Sequence, residues 1–146
     1  MRSVHKSVLV PYSAQQMFDL VERFEDYPKF LPWCGGARIL QETNEETLAR
    51  IDIDYHGVRT HFTTANRNQP PDRIVISLRD GPFRRLDGIW QFRALSDSAC
   101  KVEFELNYEF ATAVLEGLIG PVFGRIADSF IDAFVKRAAA VHGRGA

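Results

Sequence analysis

Residues 102–110 read Val-Glu-Phe-Glu-Leu-Asn-Tyr-Glu-Phe, and this stretch decides the fold. Every second side chain is apolar or aromatic, whereas the side chains between them are glutamate or asparagine. Successive side chains of a β-strand point to opposite faces of the sheet, so the alternation predicts a strand with one buried and one solvated face. An antiparallel sheet with a single apolar face is the architecture in which such strands occur.

The same two-residue period extends over most of the chain, from Ala37 to Phe110. Short turn signals interrupt it, among them His56-Gly57, Gln69-Pro70-Pro71-Asp72 and Asp80-Gly81-Pro82. Short loops between amphipathic strands predict an antiparallel meander. With a first strand over Val4–Val10, the sheet is expected to contain about six to seven strands.

Helical periodicity brackets this region on both sides. Ser13 is expected to be the N-cap of a helix of about three turns, and residues 26–30 suit one further short turn because Pro28 fits a first helical turn. After Phe110 the period becomes helical again, with Gly120-Pro121 near its beginning. We expect the main C-terminal helix to start or kink at Pro121 and to run to His142, about 33 Å at 1.5 Å per residue.

Composition indicates an ordinary soluble globular protein, with 146 residues, 45% hydrophobic and 25% charged. We expect one domain over residues 1–142 and a disordered tail over 143–146. There is no signal-peptide pattern and no apolar run of about 18 residues, so a cytoplasmic location is expected. Cys34 and Cys100 have no metal-ligand spacing, nor do the four histidines, which predicts no metal site.

Phe30-Leu31-Pro32-Trp33-Cys34 is an apolar segment stiffened by proline, at a position where solvated loop residues are usual. It is either the wall of an apolar cavity or a plug that seals one end of the core. The strand parity places Trp90 and Tyr108 on the same inward face. It places the carboxylates of Asp52 and Glu103 on the solvated face, so no catalytic residue is expected and enzyme activity is not favoured.

The middle of the chain is rich in arginine, with seven arginines and three acids between Arg59 and Arg93. Guanidinium groups suit phosphate contacts, so these side chains could form a basic sheet edge that faces RNA. Alternatively they could pair across strands with acids such as Asp52, Asp54 or Glu103. The arginines considered for the RNA-facing role are Arg67, Arg73, Arg79, Arg84 and Arg85.

The order of these elements resembles the helix-grip fold of the START-like (polyketide cyclase/dehydrase and lipid transport) superfamily, an α+β fold in which an antiparallel sheet wraps around a long C-terminal helix. Within it, the chain is similar to the coenzyme Q-binding family, which includes bacterial ribosome association toxins. The residues that carry the resemblance are Tyr27-Pro28-x-Phe30-Leu31-Pro32-Trp33-Cys34, Leu86-x-Gly88-x-Trp90-x-Phe92, Val102-x-Phe104-x-Leu106-x-Tyr108-Glu109-Phe110, Gly120-Pro121-x-Phe123 and Asp132-Ala133-Phe134-x-x-Arg137-Ala138.

The resemblance implies a cavity between sheet and helix that binds a hydrophobic ligand without converting it. The leading candidate is ubiquinone or a similar polyprenyl lipid, and no cofactor is required. The resemblance equally implies a regulator that binds the large ribosomal subunit and hinders subunit joining, or, as a further alternative, a polyketide-type cyclase. Ligand exchange could involve transient membrane contact, and the oligomeric state is left open. The expected ligand-binding residues are Tyr27, Phe30, Leu31, Trp33, Trp90, Phe92, Tyr108, Leu115, Leu118, Phe123, Ile126 and Phe130.

Overall fold

The protein is described by a computed structural model over residues 2–142. The expected C-terminal tail, 143–146, lies outside the described residues. Seven strands and three α-helices follow one another, with a 3₁₀ turn at Phe24–Asp26 before the second helix. The elements are β1 (Arg2–Val10), α1 (Ala14–Glu22), α2 (Tyr27–Phe30), β2 (Cys34–Glu42), β3 (Glu46–Tyr55), β4 (Val58–Gln69), β5 (Arg73–Asp80), β6 (Phe83–Ser96), β7 (Ala99–Phe110) and α3 (Ala113–His142).

All seven strands form one antiparallel sheet in the order β1-β7-β6-β5-β4-β3-β2. The strand that decides the fold, β7, pairs with β6 and with β1, so that Leu106 lies opposite Gly88 on one side and Val4 on the other. The sheet is a meander from β2 to β7, and only β1 joins out of sequence order. The predicted helix-grip architecture is therefore confirmed.

The inward face of the sheet packs against α3, with α1 beside it, and the two layers share one hydrophobic core. Phe134 of α3 is fully buried, and its ring centroid lies 5.3 Å from that of Trp90 on β6 and 5.3 Å from that of Tyr27 in α2. One aromatic side chain of the long helix thus contacts both the sheet and the short helix that follows α1.

Helix α1 begins as expected, because Ser13 supplies a complete capping box. The Ser13 Oγ accepts a hydrogen bond from the backbone N–H of Gln16 at 3.0 Å, and the Gln16 side chain accepts one from the Ser13 backbone N–H at 2.9 Å. Two donors of the first turn are satisfied in this way, and the apolar face of the helix is directed into the core.

Replacement of Ser13 by alanine is expected to lower the free energy of unfolding by about 0.5–2 kcal/mol, because the Gln16 N–H loses its acceptor. Urea unfolding followed by circular dichroism measures this change. A Ser7→Ala variant is a suitable control, since Ser7 is exposed on the edge strand β1 and is expected to change stability by less than about 0.5 kcal/mol. Equal effects of the two changes would contradict the capping role.

The C-terminal helix differs from the prediction, since it begins at Ala113 and continues through Pro121. Thr112 caps it: the Thr112 Oγ1 accepts from the backbone N–H of Leu115 at 3.1 Å. Proline removes one helical hydrogen bond, but Ile119 and Phe123 on either side are buried, so packing outweighs that loss. The helix is consequently two turns longer at its N-terminus than the proline alone suggests.

The five arginines expected at a sheet edge lie elsewhere. They occupy β4, β5 and β6, whereas the edge strands of the sheet are β1 and β2. The prediction of a basic edge is therefore wrong in its position. Because the strands that contain the arginines are central, these exposed side chains project from the outer face of the sheet, opposite α3.

Candidate functional site

A cavity of about 60 Å³ lies between the inward face of the sheet and α3, and nearly all of the side chains that line it are buried. Ten of its wall residues come from the sheet, four from α3, and the others from α1 and the segment that follows it. They are Ile51, Phe62, Thr64, Asn66, Ile74, Ile76, Leu86, Trp90, Phe104 and Leu106 from the sheet, Phe123, Ile126, Ala127 and Phe130 from α3, and Val21, Phe24, Tyr27 and Trp33 from the α1 side.

The wall is almost entirely apolar, and in the part of the chain that the structure describes it contains no carboxylate, lysine, arginine or histidine. Its polar residues, apart from the aromatic ones, are Thr64 and Asn66 on β4. The described wall therefore offers no ionised side chain that could act as a general acid or base or stabilise a developing charge. The arrangement suits the enclosure of an uncharged, apolar molecule.

Asn66 is 1% exposed, and its side-chain nitrogen lies among three oxygen atoms. The Nδ2 group is 3.2 Å from the carbonyl oxygen of Thr47, 3.3 Å from the carbonyl oxygen of Thr64 and 2.9 Å from the Thr64 Oγ1. The β3–β4 register pairs Asn66 with Thr47. These hydrogen bonds hold the amide in one orientation on the cavity wall.

The apolar segment 30–34 contributes Trp33 to the wall and is fixed by backbone hydrogen bonds. The Leu31 N–H donates to the Tyr27 carbonyl at 2.9 Å, and the Asp54 N–H donates to the Trp33 carbonyl at 2.9 Å. Trp33 is 5% exposed, and its ring lies 5.9 Å from that of Phe130 on α3. This loop is thus anchored to α2 and to β3, and Trp33 closes the space between sheet and helix.

A wider groove of about 520 Å³ adjoins the cavity on the outer side of this segment. Trp33 and Ile126 belong to the walls of both spaces, so the cavity and the groove meet at these two side chains. The groove is partly apolar, through Phe30, Pro32 and Tyr55, and partly charged. Its charged residues are Arg125, Asp132, Lys136 and Arg137.

Burial favours the neutral forms of two side chains at this end of the core, Tyr27 and Cys34. It raises the pKa of the Tyr27 phenol well above its ordinary value, and the Tyr27 hydroxyl donates a hydrogen bond to the Val21 carbonyl oxygen. Burial likewise raises the pKa of the Cys34 thiol, which contacts the Gly36 carbonyl oxygen. A neutral phenol and a neutral thiol are weak as a base and as a nucleophile, respectively.

Half of the twelve residues expected from the sequence lie on the cavity wall, and the others lie elsewhere. Those on the cavity wall are Tyr27, Trp33, Trp90, Phe123, Ile126 and Phe130. Phe30 lines the groove instead, and Leu31, Phe92 and Tyr108 are buried in the core beyond the wall. Leu115 is partly buried against the core, and Leu118 is 65% exposed. Leu118 is therefore not a cavity residue, because α3 begins early enough to turn this position towards solvent.

Sequence reasoning missed Thr64 and Asn66. The signal was available, because both residues share the parity of Phe62, whose side chain is expected to point inward on β4. Polar side chains at inward positions of an otherwise apolar face are the informative exceptions to the hydrophobic pattern.

Within residues 2–142, no group of three or more histidine, cysteine, aspartate or glutamate side chains is arranged to hold a metal ion. None of the described helices contains an apolar window long enough to cross a lipid bilayer.

The outer face of the sheet combines paired and unpaired arginines. Arg79 lies 3.4 Å from Glu46, and Arg84 lies 3.7 Å from Glu109. The expected pairing with Asp54 and Glu103 also occurs, through Arg59 at 3.5 Å and Arg93 at 3.9 Å, whereas Asp52 pairs with Arg50 of its own strand. Among the described residues, the arginines without a carboxylate within 4.0 Å are Arg67, Arg73 and Arg85, together with four arginines outside these strands.

Several curated relatives match nearly the whole chain, and two of them differ in what their names describe. The ribosome association toxin RatA of Escherichia coli K12 is 41% identical over 142 residues, which are 97% of this chain and 90% of the toxin. The mitochondrial coenzyme Q-binding protein COQ10 homolog B of Xenopus laevis is 25% identical over 95% of this chain and 59% of its own length.

Solved structures show the same fold. The 18 kDa protein CC1736 of Caulobacter crescentus is 31% identical, with a TM-score of 0.75 over 98% of this chain and 99% of that one. The Zhui aromatase/cyclase from Streptomyces sp. R1128 has a TM-score of 0.77 at 16% identity, covers 97% of each chain, and supports the fold alone.

Residues 10–135 match the family described as polyketide cyclase / dehydrase and lipid transport. This match covers most of the chain, and its START-like architecture agrees with the sheet, the long helix and the cavity between them. The chain belongs to this START-like family, and RatA and the coenzyme Q-binding COQ10 protein are among its relatives.

Proposed function

We propose that the protein binds an uncharged isoprenoid or related lipid, with ubiquinone the leading candidate, in the cavity between the sheet and α3. The observation that carries the proposal is the wall itself, which is buried, largely aromatic and free of ionised side chains among the described residues. Pockets for small ligands are mostly apolar with a few placed polar groups, and this wall has that composition. The name of the COQ10 relative, a coenzyme Q-binding protein, supports the same class of ligand.

The dimensions require the ligand to occupy more than this cavity. A space of about 60 Å³ holds a few water-sized groups, since one water needs about 10–15 Å³ by this measure. The adjoining groove is larger and shares Trp33 and Ile126 with the cavity. A ring can therefore enter the cavity while a polyprenyl tail lies along the groove, provided that Trp33 or α3 shifts to widen the passage.

Apolar burial can supply the affinity. Each methylene removed from water contributes about 0.8 kcal/mol before ordering costs, so a few isoprene units suffice without an ionic anchor. The role that follows is to hold or deliver a quinone in support of respiration, without chemical change. Protonated Tyr27 and Cys34 are consistent with a role that does not include catalysis.

Transient contact with a membrane would accompany ligand exchange. Arg125, Lys136 and Arg137 line the groove together with the single acid Asp132, and the Arg137 guanidinium lies 5.2 Å from the centre of the Phe30 ring. Basic side chains beside exposed apolar surface suit anionic lipid headgroups.

Native mass spectrometry of the purified protein, after incubation with a lipid extract, tests the proposal. The expected spectrum contains a complex whose added mass equals that of a quinone or another isoprenoid, in one-to-one stoichiometry. Protein that neither carries nor takes up any isoprenoid under these conditions would remove the proposed function.

Association with the ribosome is a second candidate function. It is favoured by the RatA relative, which is similar to this protein over nearly the whole length of both chains. The surface that suits it is the outer face of β4–β6, where Arg67, Arg73 and Arg85 are exposed and have no carboxylate within 4.0 Å in the region described. Binding to the large subunit there would leave the cavity free, so the two candidates are compatible. Guanidinium groups without protein partners are available for phosphate contacts.

A triple change of Arg67, Arg73 and Arg85 to alanine is expected to weaken cosedimentation with large ribosomal subunits, because up to three phosphate contacts are lost and the salt dependence becomes less steep. Sedimentation at low and at raised salt measures both effects.

The matched control changes Arg50, Arg59 and Arg93 to alanine, which removes the same charge from arginines that already have carboxylate partners. The control is expected to cosediment nearly as well as the unchanged protein. Absence of cosedimentation at low salt, or equal loss in both variants, would count against a ribosome-binding outer face.

A further inference from the structure

The hydrogen bonds of the Asn66 amide fix which way its nitrogen and its oxygen point. Two of the three oxygen atoms around Nδ2 are the backbone carbonyls of Thr47 and Thr64, which only accept hydrogen bonds. Rotation of the amide by half a turn would place Oδ1 against these carbonyls, and three acceptors would then face one another. The nitrogen must therefore point into the strands, and the oxygen points away from them.

In the region described, no donor lies within hydrogen-bond distance of the Asn66 Oδ1, although the residue is 1% exposed and lines the cavity. The Thr64 Oγ1 accepts from Nδ2 at 2.9 Å, and its own hydrogen has no acceptor among the same residues. A ligand that supplies a donor to this oxygen gains a hydrogen bond that the protein itself does not make. Two neighbouring side chains of the wall thus retain one acceptor and one donor that make no hydrogen bond within the described residues.

These two groups are close enough to hold one ligand atom. Nitrogen and oxygen of an amide are about 2.3 Å apart, so the Asn66 Oδ1 lies within about 5 Å of the Thr64 Oγ1. A hydroxyl oxygen that makes two hydrogen bonds of about 2.8 Å can bridge such a gap. It would donate to Asn66 and accept from Thr64.

We infer that Asn66 and Thr64 select ligands that carry a hydroxyl group at their polar end, such as a prenylated phenol or hydroquinone. This inference rests on the proposed binding of an isoprenoid in the cavity. A quinone carbonyl accepts from Thr64 but offers no hydrogen to Asn66, so the reduced form binds more tightly than the oxidised form. A carboxylate is disfavoured because the cavity wall presents the Asn66 acceptor and, among its described residues, no cation.

Equilibrium dialysis with three probes of similar size tests the inference. The probes are a geranylated hydroquinone kept reduced under anaerobic conditions, the corresponding quinone, and geranylbenzene, which has no oxygen. The unchanged protein is expected to bind the hydroquinone about tenfold more tightly than geranylbenzene, with the quinone between them.

Two variants each remove one polar group of the pair. A third variant makes the same threonine-to-valine change at a neighbouring position and serves as the control. Thr64→Val and Asn66→Leu are expected to reduce the tenfold preference to less than about twofold while the affinity for geranylbenzene is retained. Thr63→Val is the control, since Thr63 is the adjacent residue of β4 and does not line the cavity. Circular dichroism establishes whether each variant is folded. If Asn66→Leu does not fold, the result for Thr64→Val decides the test.

The outcomes separate this inference from the proposed function. Equal binding of all three probes by the unchanged protein would overturn the role of Asn66 and Thr64 and leave isoprenoid binding intact. A preference for the hydroquinone that persists in Thr64→Val would also overturn it. Failure to bind any probe would remove the proposed function together with the inference.

Discussion

Replacement of Phe134 by alanine is expected to lower the free energy of unfolding by about 3–5 kcal/mol, the range for large aromatic residues in a packed core. Phe134 is fully buried and contacts four aromatic rings, with centroids 5.1–5.3 Å away. These rings belong to Tyr27, Phe30, Trp90 and Phe130. Because they come from the sheet, α2 and α3, the cavity left by alanine would loosen all three elements at once.

Chemical denaturation followed by circular dichroism measures this loss, and a typical domain has only about 5–15 kcal/mol of stability in total. Val141→Ala on the same helix is the control, since Val141 is 45% exposed and its truncation is expected to cost less than about 0.5 kcal/mol. A loss below about 1 kcal/mol for Phe134→Ala would show that the helix is not held to the sheet by this aromatic cluster.

Filling the cavity from α3 is expected to abolish most ligand binding while the protein remains folded. Ala127 is 3% exposed and lies on the cavity wall, so Ala127→Leu places three additional carbon atoms where the ligand would bind. Added burial contributes about 0.8 kcal/mol per methylene, and crowding of the core opposes it by about 1–3 kcal/mol. Stability should therefore change little, whereas affinity for a prenyl quinone should fall at least tenfold.

Titration of purified protein with a short-chain quinone, together with thermal unfolding, measures both quantities. Ala139→Leu is the matched control, because it makes the same change on the exposed side of the same helix. Unaltered quinone affinity in Ala127→Leu would place the binding site outside the cavity.

The sequence was most informative where one physical pattern dominates. The alternation in residues 102–110 predicts β7 because half of each strand is buried and the other half is solvated. Ser13 predicts the start of α1 because capping is a local interaction. The apolar segment 30–34 identified Trp33 as a wall residue, since a large aromatic in a short loop has few alternatives to burial.

The remaining features depend on packing that local patterns do not contain. Helix α3 runs through Pro121 because Ile119 and Phe123 are buried against the sheet, and its true start depends on the cap at Thr112. Which strands lie at the edge of the sheet follows from pairing between distant segments, so the position of Arg84 and Arg85 could not be derived from charge alone. The orientation of Asn66 is set by a carbonyl on the neighbouring strand.

The two tryptophans of the chain, Trp33 and Trp90, both line the cavity, so intrinsic fluorescence reports directly on that space. The most direct measurement of the central claim is a fluorescence titration with a ubiquinone that carries two isoprene units. A saturable decrease with one-to-one stoichiometry, lost in Ala127→Leu and kept in Ala139→Leu, is the predicted result. A decrease that does not saturate, or one that is identical in both variants, would contradict ligand binding between the sheet and α3.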